Sequence, residues 1–569
     1  MPADEKTVLG RKVCAPSKPP AASAEEAWQQ LLSARGLMDA DKARRFLQPR
    51  LADLPRPDAL VDVDRAAFRL AKAVQRNEPI QIFGDFDCDG VAGTALFVRV
   101  LERLGAKVRW SVPDRAGDGH GVPSEEMKKA AACGVRVGIA VDTGSSAHEA
   151  AEIAKRAGID LIVCDHHELP ASLPEVFALI NPMRPECGFA EGMLCGTGVA
   201  FFVLIALRAH LRAAGFAPAQ ALRLADELPL VALATVADVM PLVGANRVLV
   251  ANGLAEMRAR PPLWLRALAK IGKFAPEAVS ARTIAFQIAP RINAAGRMRH
   301  GREAVRLLLA EDEAQAIELA ARLDEDNRAR RRIQEEVARA ALAQIDPDAP
   351  AMAVCSKDWH PGVLGLAAGA IARECRRPAA VGIELEDGRV RFSARAPEGW
   401  RIDRMLAACA EWLEHHGGHA SAGGGIVKAR AWDAFCAAWQ QAACLQASPQ
   451  DPFWSVDVSL LPQAVQRSLA EWLQAFEPIG EGNPAPLWHL VQARVQARRE
   501  MRNASWRLQL AGGLEAVAFR APLPLFEALQ HAESLELIGR IERNDWNGIA
   551  SVRFVIEDAL WRQPRLELC

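Results

Sequence analysis

Apolar runs at Val108 to Val112, Val137 to Val141, Leu161 to Cys164 and Phe177 to Ile180, with a further one at Ile80, Ile82 and Phe83, alternate with helical segments as far as about Leu265. Strands alternating with helices predict a parallel, doubly wound α/β sheet. The longest apolar stretch, Gly198 to Leu207, ends at Arg208. That is well short of the roughly 20 residues that span a bilayer, so it reads as a buried helix. From Arg302 to Asp346 there is no Gly or Pro, and Ile317, Ala321, Ile333, Val337 and Ala341 fall on one face. This spacing predicts a long connecting helix. Arg328, Arg330, Arg331 and Arg332 lie together on it, as a solvated face or as a contact for a polyanion.

Past Pro347 a Gly/Ala-rich segment runs to about Arg430, with strands near Ala351 to Cys355 and Ala379 to Ile383, and predicts a second, smaller α/β module. After the turn from Glu477 to Pro484 come five short strands: Val491 to Val495, Trp506 to Leu510, Ala516 to Phe519, Leu535 to Ile541 and Ser551 to Val555. Five strands of this kind predict a small barrel of the OB type. The expected organisation is a helical and initially mobile lead over 1–64, a catalytic domain over 65–300, a connecting helix over 301–346, the second module over 347–446 and the barrel over 447–569.

Half of the 569 residues are apolar, enough for several cores. The chain opens polar and proline-rich rather than with a secretory pattern, which predicts a cytoplasmic protein. Twelve cysteines without a C-x-x-C pair argue against a disulfide framework. A net charge of −1 gives no global basic footprint, so any nucleic-acid contact must be local. Tyrosine is absent, which leaves base stacking to Phe, Trp, His or Arg.

The chemistry gathers at strand ends. Asp85-Phe86-Asp87-Cys88-Asp89-Gly90 follows the first strand and Asp165-His166-His167 follows the fourth. Ligands of open α/β sheets sit at the carboxyl ends of strands. Carboxylates with imidazole suit manganese, magnesium or zinc in a hydrolytic centre, whereas structural zinc asks for thiolates. A calcium loop needs Glu at its twelfth position, and here Leu96 stands there. The remaining alternative for the run is an acidic helix cap. Asp142, closing another strand, reads alone as a cap; Asp238, within the apolar stretch from Ala234 to Pro241, is a buried charge in need of a partner or a metal.

In this order the four segments resemble the DHH phosphoesterase superfamily. Trp359 to Gly365, Phe392 to Arg395, Gly417 to Gly424 and the Glu477 to Pro484 turn narrow the resemblance to the RecJ family of single-strand-specific exonucleases, from about Leu51 to the C-terminus. The resemblance implies that Asp85, Asp87, Asp142, His166 and Asp238 hold two ions, Mn2+ or Mg2+, with Asp87 and Asp142 as bridges and His167 close to the scissile phosphate. It places Arg291, Asn293 and Arg297 along the DNA path, and Arg115, Ser393 and Arg395 around a terminal 5′ phosphate; for single arginines a structural ion pair is the alternative. His419 among glycines points to close approach of substrate, and His360 to substrate or packing. Two positions depart from the family: Phe83 stands where some relatives carry histidine, and His120 where an aromatic is usual.

The implied activity is metal-dependent 5′→3′ hydrolysis of single-stranded DNA in repair and recombination, beside a single-strand-binding protein. The alternatives are a phosphodiesterase or pyrophosphatase of the same superfamily acting on short oligonucleotides or cyclic dinucleotides, and a non-catalytic DNA-binding scaffold. In the barrel, Arg494, Arg498, Arg499 and Arg502 near Trp506, with Trp546 beside Asn544 and Asn547, form either a strand-binding surface or a solvated rim.

Overall fold

The five apolar runs that predict strands in the first half all form them: β1 (Ile80–Gly84), β2 (Val108–Ser111), β3 (Val137–Val141), β4 (Asp160–Cys164) and β5 (Ala178–Ile180). They pair in parallel in the order β2-β1-β3-β4-β5. All residues of β1 and β3 are buried, because a parallel sheet is covered on both faces. On one face Leu70 of α1 (Val63–Gln75) and Leu96 and Phe97 of α2 (Cys88–Arg103) pack over Ile82, Ile139 and Ile162. On the other, α3 (Ser124–Ala132) and α4 (His148–Ala157) cover Phe83, Ala140 and Val163. The computed structural model describes residues 6–113, 121–189, 193–446, 453–546 and 549–561. The chain divides into two units, Leu54–Pro449 and Met1–Asp53 with Gln450–Cys569.

The run from Gly198 to Leu207 lies in α5 (Gly196–Ala213), which is long and apolar enough to cross a membrane but has most of its surface inside the first core. It is followed by α6 (Leu228–Ala237) and, after further helices, α7 (Ala289–Met298). The connecting helix is not continuous: a short α8 (Arg302–Leu308) ends, and α9 (Glu313–Leu342) begins afresh where Asp312 accepts from the Gln315 amide at 2.8 Å. A good N-cap restarts a helix without Gly or Pro. The expected apolar face also needs correction. Ala316, Leu319, Ala320 and Leu323 enter the first core, whereas Val337 and Ala341, with Ile333 at their edge, enter the core of the second module; Ala321 is exposed. Two cores thus share one helix, and Asp324, Asp326 and Asn327 are buried between the stretches that serve them. Of the arginine run, Arg328 pairs with Asp324 at 2.7 Å and Arg330 donates to Asn327 and Gln334, so these two serve the helix itself.

The second module is a mixed sheet, β9-β10-β8-β7-β6, from β6 (Met352–Cys355), β7 (Ala379–Glu384), β8 (Arg389–Arg395), β9 (Leu413–Gly418) and β10 (Ala422–Lys428). Helix α10 (Leu364–Cys375) packs on the face that α9 also covers.

In the other unit the five expected strands close a barrel: β11 (Trp488–Met501), β12 (Ser505–Leu510), β13 (Glu515–Ala518), β14 (Ser534–Trp546) and β15 (Ile549–Leu560), joined through β11 with β14. The lead is a structural part of this unit rather than a mobile tail. Lys12–Cys14 pairs in parallel with Phe453–Ser455, and Ala24, Ala27 and Leu31, on one face of helix Ala24–Ala34, complete the barrel core. Asp558, fully buried, ties the lead in by accepting from Thr7 Oγ1 at 2.6 Å and Trp454 Nε1 at 2.8 Å. Trp506 is a core residue against Phe526 and offers no stacking platform. Arg498 donates to the carbonyls of Leu529, Gln530 and Ala532, where helix Leu523–His531 ends. Arg494, Arg499 and Arg502 are exposed; Asn547 and the Trp546 side chain lie outside the described residues.

Candidate metal centre

The strand order 2-1-3-4-5 reverses direction between β1 and β3, and such a switch point leaves a crevice beyond the carboxyl ends of those strands. Asp85 follows β1, and Asp87 is the N-cap of α2, its Oδ1 accepting from the amides of Asp89 at 3.0 Å and Gly90 at 3.2 Å. The cap reading and the ligand reading of this run therefore both apply to Asp87. Gly90 lets the loop fold on itself, since a Cβ there would lie 2.4 Å from the Asp85 nitrogen. Asp142 follows β3 with φ at +60°, a left-handed conformation that Asp tolerates better than most residues. Gly196 of α5 clears space for it: a Cβ would lie 2.6 Å from the Asp142 Cα.

From the end of β4, His166 turns Nε2 to within 3.1 Å of Asp142 Oδ1, 3.5 Å of Asp238 Oδ2 and 3.9 Å of Asp89 Oδ2. Asp238 caps the carboxyl end of α6. Three donor sets each lie within 4.8 Å: Asp85 with Asp87 and Asp142, Asp142 with His166 and His167, and Asp89 with His166 and Asp238. Because Asp142 and His166 each belong to two sets, the three form one continuous site.

The first residue of the triplet has a different task. Asp165 accepts from the amides of Ser145 at 2.9 Å and His166 at 2.8 Å, and from His167 Nδ1 at 2.7 Å. Burial opposes its charge, yet the bonds from His167 and Ser145 more than offset this and hold it well below the usual carboxylate range. The same contact pushes His167 up to about 9, so its imidazole carries a positive charge at neutral pH. His166 moves the other way: burial lowers it and keeps it neutral, the form that ligates metal.

The charge of His167 does not balance the carboxylates around it. Burial, then the charges of Asp89, Asp87, Asp85 and Asp238, raise Asp142 well above its ordinary value. Burial, then Asp89 and Asp87, push Asp238 up to about 8. Asp238 Oδ2 is buried without a hydrogen-bond partner. A divalent cation inverts this balance, turning mutual repulsion into ligation. Burial first, and then the charges of the same carboxylates, drive the nearby Cys88 and Cys195 thiols far up and keep them protonated. The donors are thus oxygen and imidazole, a set suited to manganese or magnesium and not to thiolate-bound zinc.

The chain matches family models in three places: the DHH family N-terminal domain at residues 79–235, the DHHA1 domain at 348–443 and the RecJ OB domain at 456–558. It is 33% identical to the single-stranded-DNA-specific exonuclease RecJ of Dickeya dadantii, over 88% of this chain and 90% of that protein. With the protein of the same name from Bacillus subtilis it shares 32% identity, over 93% of this chain and 67% of that one. This chain belongs to the RecJ family. The crystal structure of RecJ in complex with Mn2+ from Thermus thermophilus superposes with a TM-score of 0.80 at 29% identity, covering 97% of this chain and 79% of that one.

The other RecJ-motif residues divide into braces and candidates for substrate. Asn293 Oδ1 accepts from the Cys88 amide at 2.8 Å, and Gly296 lets α7 approach the Phe86 carbonyl, where a Cβ would lie at 2.7 Å. Arg291 is held by Asp324 at 2.8 Å and by the Gln287 carbonyl, the ion-pair alternative for this arginine. Arg297 donates to the Gly362 carbonyl at 3.2 Å and joins α7 to the second module. His360 accepts from the Gly362 amide at 3.1 Å, as the cap of a short turn. Ser393 and Arg395 lie on β8, where the Arg395 Nη2 would be 2.9 Å from a Cβ at Gly365. His419 meets Glu168 at 3.0 Å, linking the glycine-rich turn to the residue after His167. Arg115 and His120 lie outside the described residues. Phe83 is packed in the core on the α3 and α4 face and contributes an apolar wall.

Asp89 is the residue whose part sequence reasoning missed. Its carboxylate accepts from the amides of Gly196 at 2.6 Å and Thr197 at 2.8 Å while facing His166, so it fixes the start of α5 to the centre. The third acid of the D-x-D-x-D run was the available signal.

Proposed function

We propose that the protein is a metal-dependent exonuclease that hydrolyses single-stranded DNA from the 5′ end to nucleotides, using two Mn2+ or Mg2+ ions. The observation that carries this reading is the convergence of Asp85, Asp87, Asp142, His166 and Asp238 at the switch point, in a chain that also has the barrel of its RecJ relatives. In this reading Asp142, common to two donor sets, and Asp87 would hold the ions together with Asp85, His166 and Asp238. A bound pair of divalent ions supplies an activated water on one side of a phosphodiester and charge stabilisation for the leaving oxygen on the other. Asp165 holds the His167 imidazolium at the edge of the centre, where a positive charge favours the phosphate that gains negative charge during cleavage. Neutral His166 stays available as a ligand because its surroundings are buried. A single-strand-binding protein as partner rests on the family likeness alone.

Digestion of end-labelled single and double strands with manganese, magnesium or chelator tests metal, strandedness and polarity together. Mononucleotides should appear first from the 5′ end of single strands and only with metal. Ready cleavage of dinucleotides with none of long strands would replace this reading by a short-oligonucleotide phosphodiesterase.

A further inference from the structure

A second polar cavity, of about 390 Å³, opens at the outer edge of the first sheet. That volume falls in the range of small-ligand sites, roughly 300–1,000 Å³. Part of its wall is Gln81, 7% exposed, whose amide donates to Ser111 Oγ at 3.3 Å. Among the described residues its rim carries four cations, Arg109, Lys129, Arg302 and Arg306, against one carboxylate, Glu126. Glu126 is already bound to Lys129 at 2.7 Å, and among the described residues no other ion pair is made by these four side chains. Three arginines thus line one concave surface and, among the described residues, none of them has an acidic partner, an arrangement that suits phosphate oxygens.

The cavity flanks the metal centre. Gly301, just before Arg302, packs beside Phe86 between the first two aspartates, where a Cβ would lie 3.4 Å from the Phe86 carbonyl. Ser111 is the register partner of Phe83, two residues before Asp85. Neither Ser393 nor Arg395, the described matches to the family's terminal-phosphate motif, lines it.

We propose that this cavity is a subsite for the phosphate of one nucleotide unit, outside the catalytic centre. The phosphate chemistry has two sources, the backbone of a bound strand or a free 5′ mononucleotide. Naming a nucleotide rests on the exonuclease reading; the basic cavity does not. Binding is therefore measured with chelator present and cleavage separately, so that an inactive wild type would overturn the exonuclease reading without deciding the subsite.

The test uses the full chain and the double variant Arg302→Ala/Arg306→Ala, with Arg109→Ala as a second probe should the first fail to fold. Anisotropy of a labelled oligothymidylate is followed against salt, and deoxyadenosine monophosphate is titrated by calorimetry. For a strand phosphate, losing the one phosphate held by both arginines should reduce the slope of log K against log salt by about 0.7. For a mononucleotide, the variant should bind it at least about tenfold more weakly, with the slope unchanged. Lys128→Ala, on the same helix as Lys129 but outside the cavity, should leave both readouts as in the wild type. The proposal is overturned if neither readout moves in the cavity variants, or if Lys128→Ala lowers the slope as much as they do.

Discussion

Asp558 in the barrel unit and Asp142 in the first domain are both buried carboxylates, and they are treated in opposite ways. Asp558 accepts from Thr7, Trp454 and the amides of Leu9 and Ala559, so its charge is satisfied within the fold. Asp142 faces His166 and four other carboxylates, and burial with their repulsion raises it well above its ordinary value. A satisfied buried carboxylate holds segments together; an unsatisfied one marks where the fold expects charge from outside.

The largest effect that separates the two belongs to activity. Asp142→Asn should reduce metal-dependent nucleotide release by at least about 10²–10³-fold, the scale of losing one electrostatic stabiliser. The metal-free variant should nonetheless melt higher than the wild type at pH 8, since it removes a repelled charge and Asn accepts φ of +60°. Lower stability in the variant would mean that Asp142 supports the fold as Asp558 does.

Asp558→Ala should show the reverse. Four donors lose their acceptor, which costs about 3 kcal/mol. A lowered denaturation midpoint followed by tryptophan fluorescence would report it, with the cleavage rate of the remaining folded protein changed much less. An unchanged midpoint would remove the distinction.

Metal should act in the same direction as relief of repulsion. At a hundred times the dissociation constant a bound ion stabilises by about 2.7 kcal/mol, so manganese should raise the melting temperature of the wild type and hardly that of Asp142→Asn. The pH dependence has a definite sign. Asp238 is raised from 3.8 to about 8 in the folded chain, so the folded state holds the proton more tightly than the unfolded state. Metal-free stability should therefore fall as pH rises from about 4 to about 8. Asp238→Asn should flatten that fall, and a rise of stability over the same window in the wild type would contradict the electrostatics.

What could be read in advance follows the same division. The first domain was legible because a parallel sheet demands continuous apolar runs and places ligands at their carboxyl ends; Asp85, Asp87, Asp142, His166 and Asp238 all come from such positions or from a helix end. The bonds that Asp89, Asn293 and Arg291 make within the fold were not legible. Their partners, Gly196, Cys88 and Asp324, lie far away in sequence, and nothing local distinguishes a polar side chain that braces a loop from one that meets DNA. The lead was misjudged for a similar reason: Ala24, Ala27 and Leu31 show one apolar face, but the barrel that covers it begins more than four hundred residues later. The break before α9 was visible in principle, since Asp312 is a strong N-cap residue.

The smallest effect concerns strain beside the centre. Helix α6 closes with the Met240 amide on the Thr235 carbonyl at 3.1 Å and the Val239 amide on that of Val236 at 3.2 Å, which puts Val239 at the left-handed position where glycine is favoured. Val239 has φ of +56° and is 64% exposed, so neither backbone preference nor core packing accounts for a β-branched residue there. Val239→Gly should raise stability by about 0.5–1 kcal/mol, the relief of left-handed strain less the greater entropy of glycine in the unfolded chain. Manganese affinity should stay within about twofold, because the two closing hydrogen bonds still orient Asp238. A gain in stability accompanied by a clear loss of manganese affinity would show that the strain is used to position that ligand, a role with no parallel in the satisfied carboxylate of Asp558.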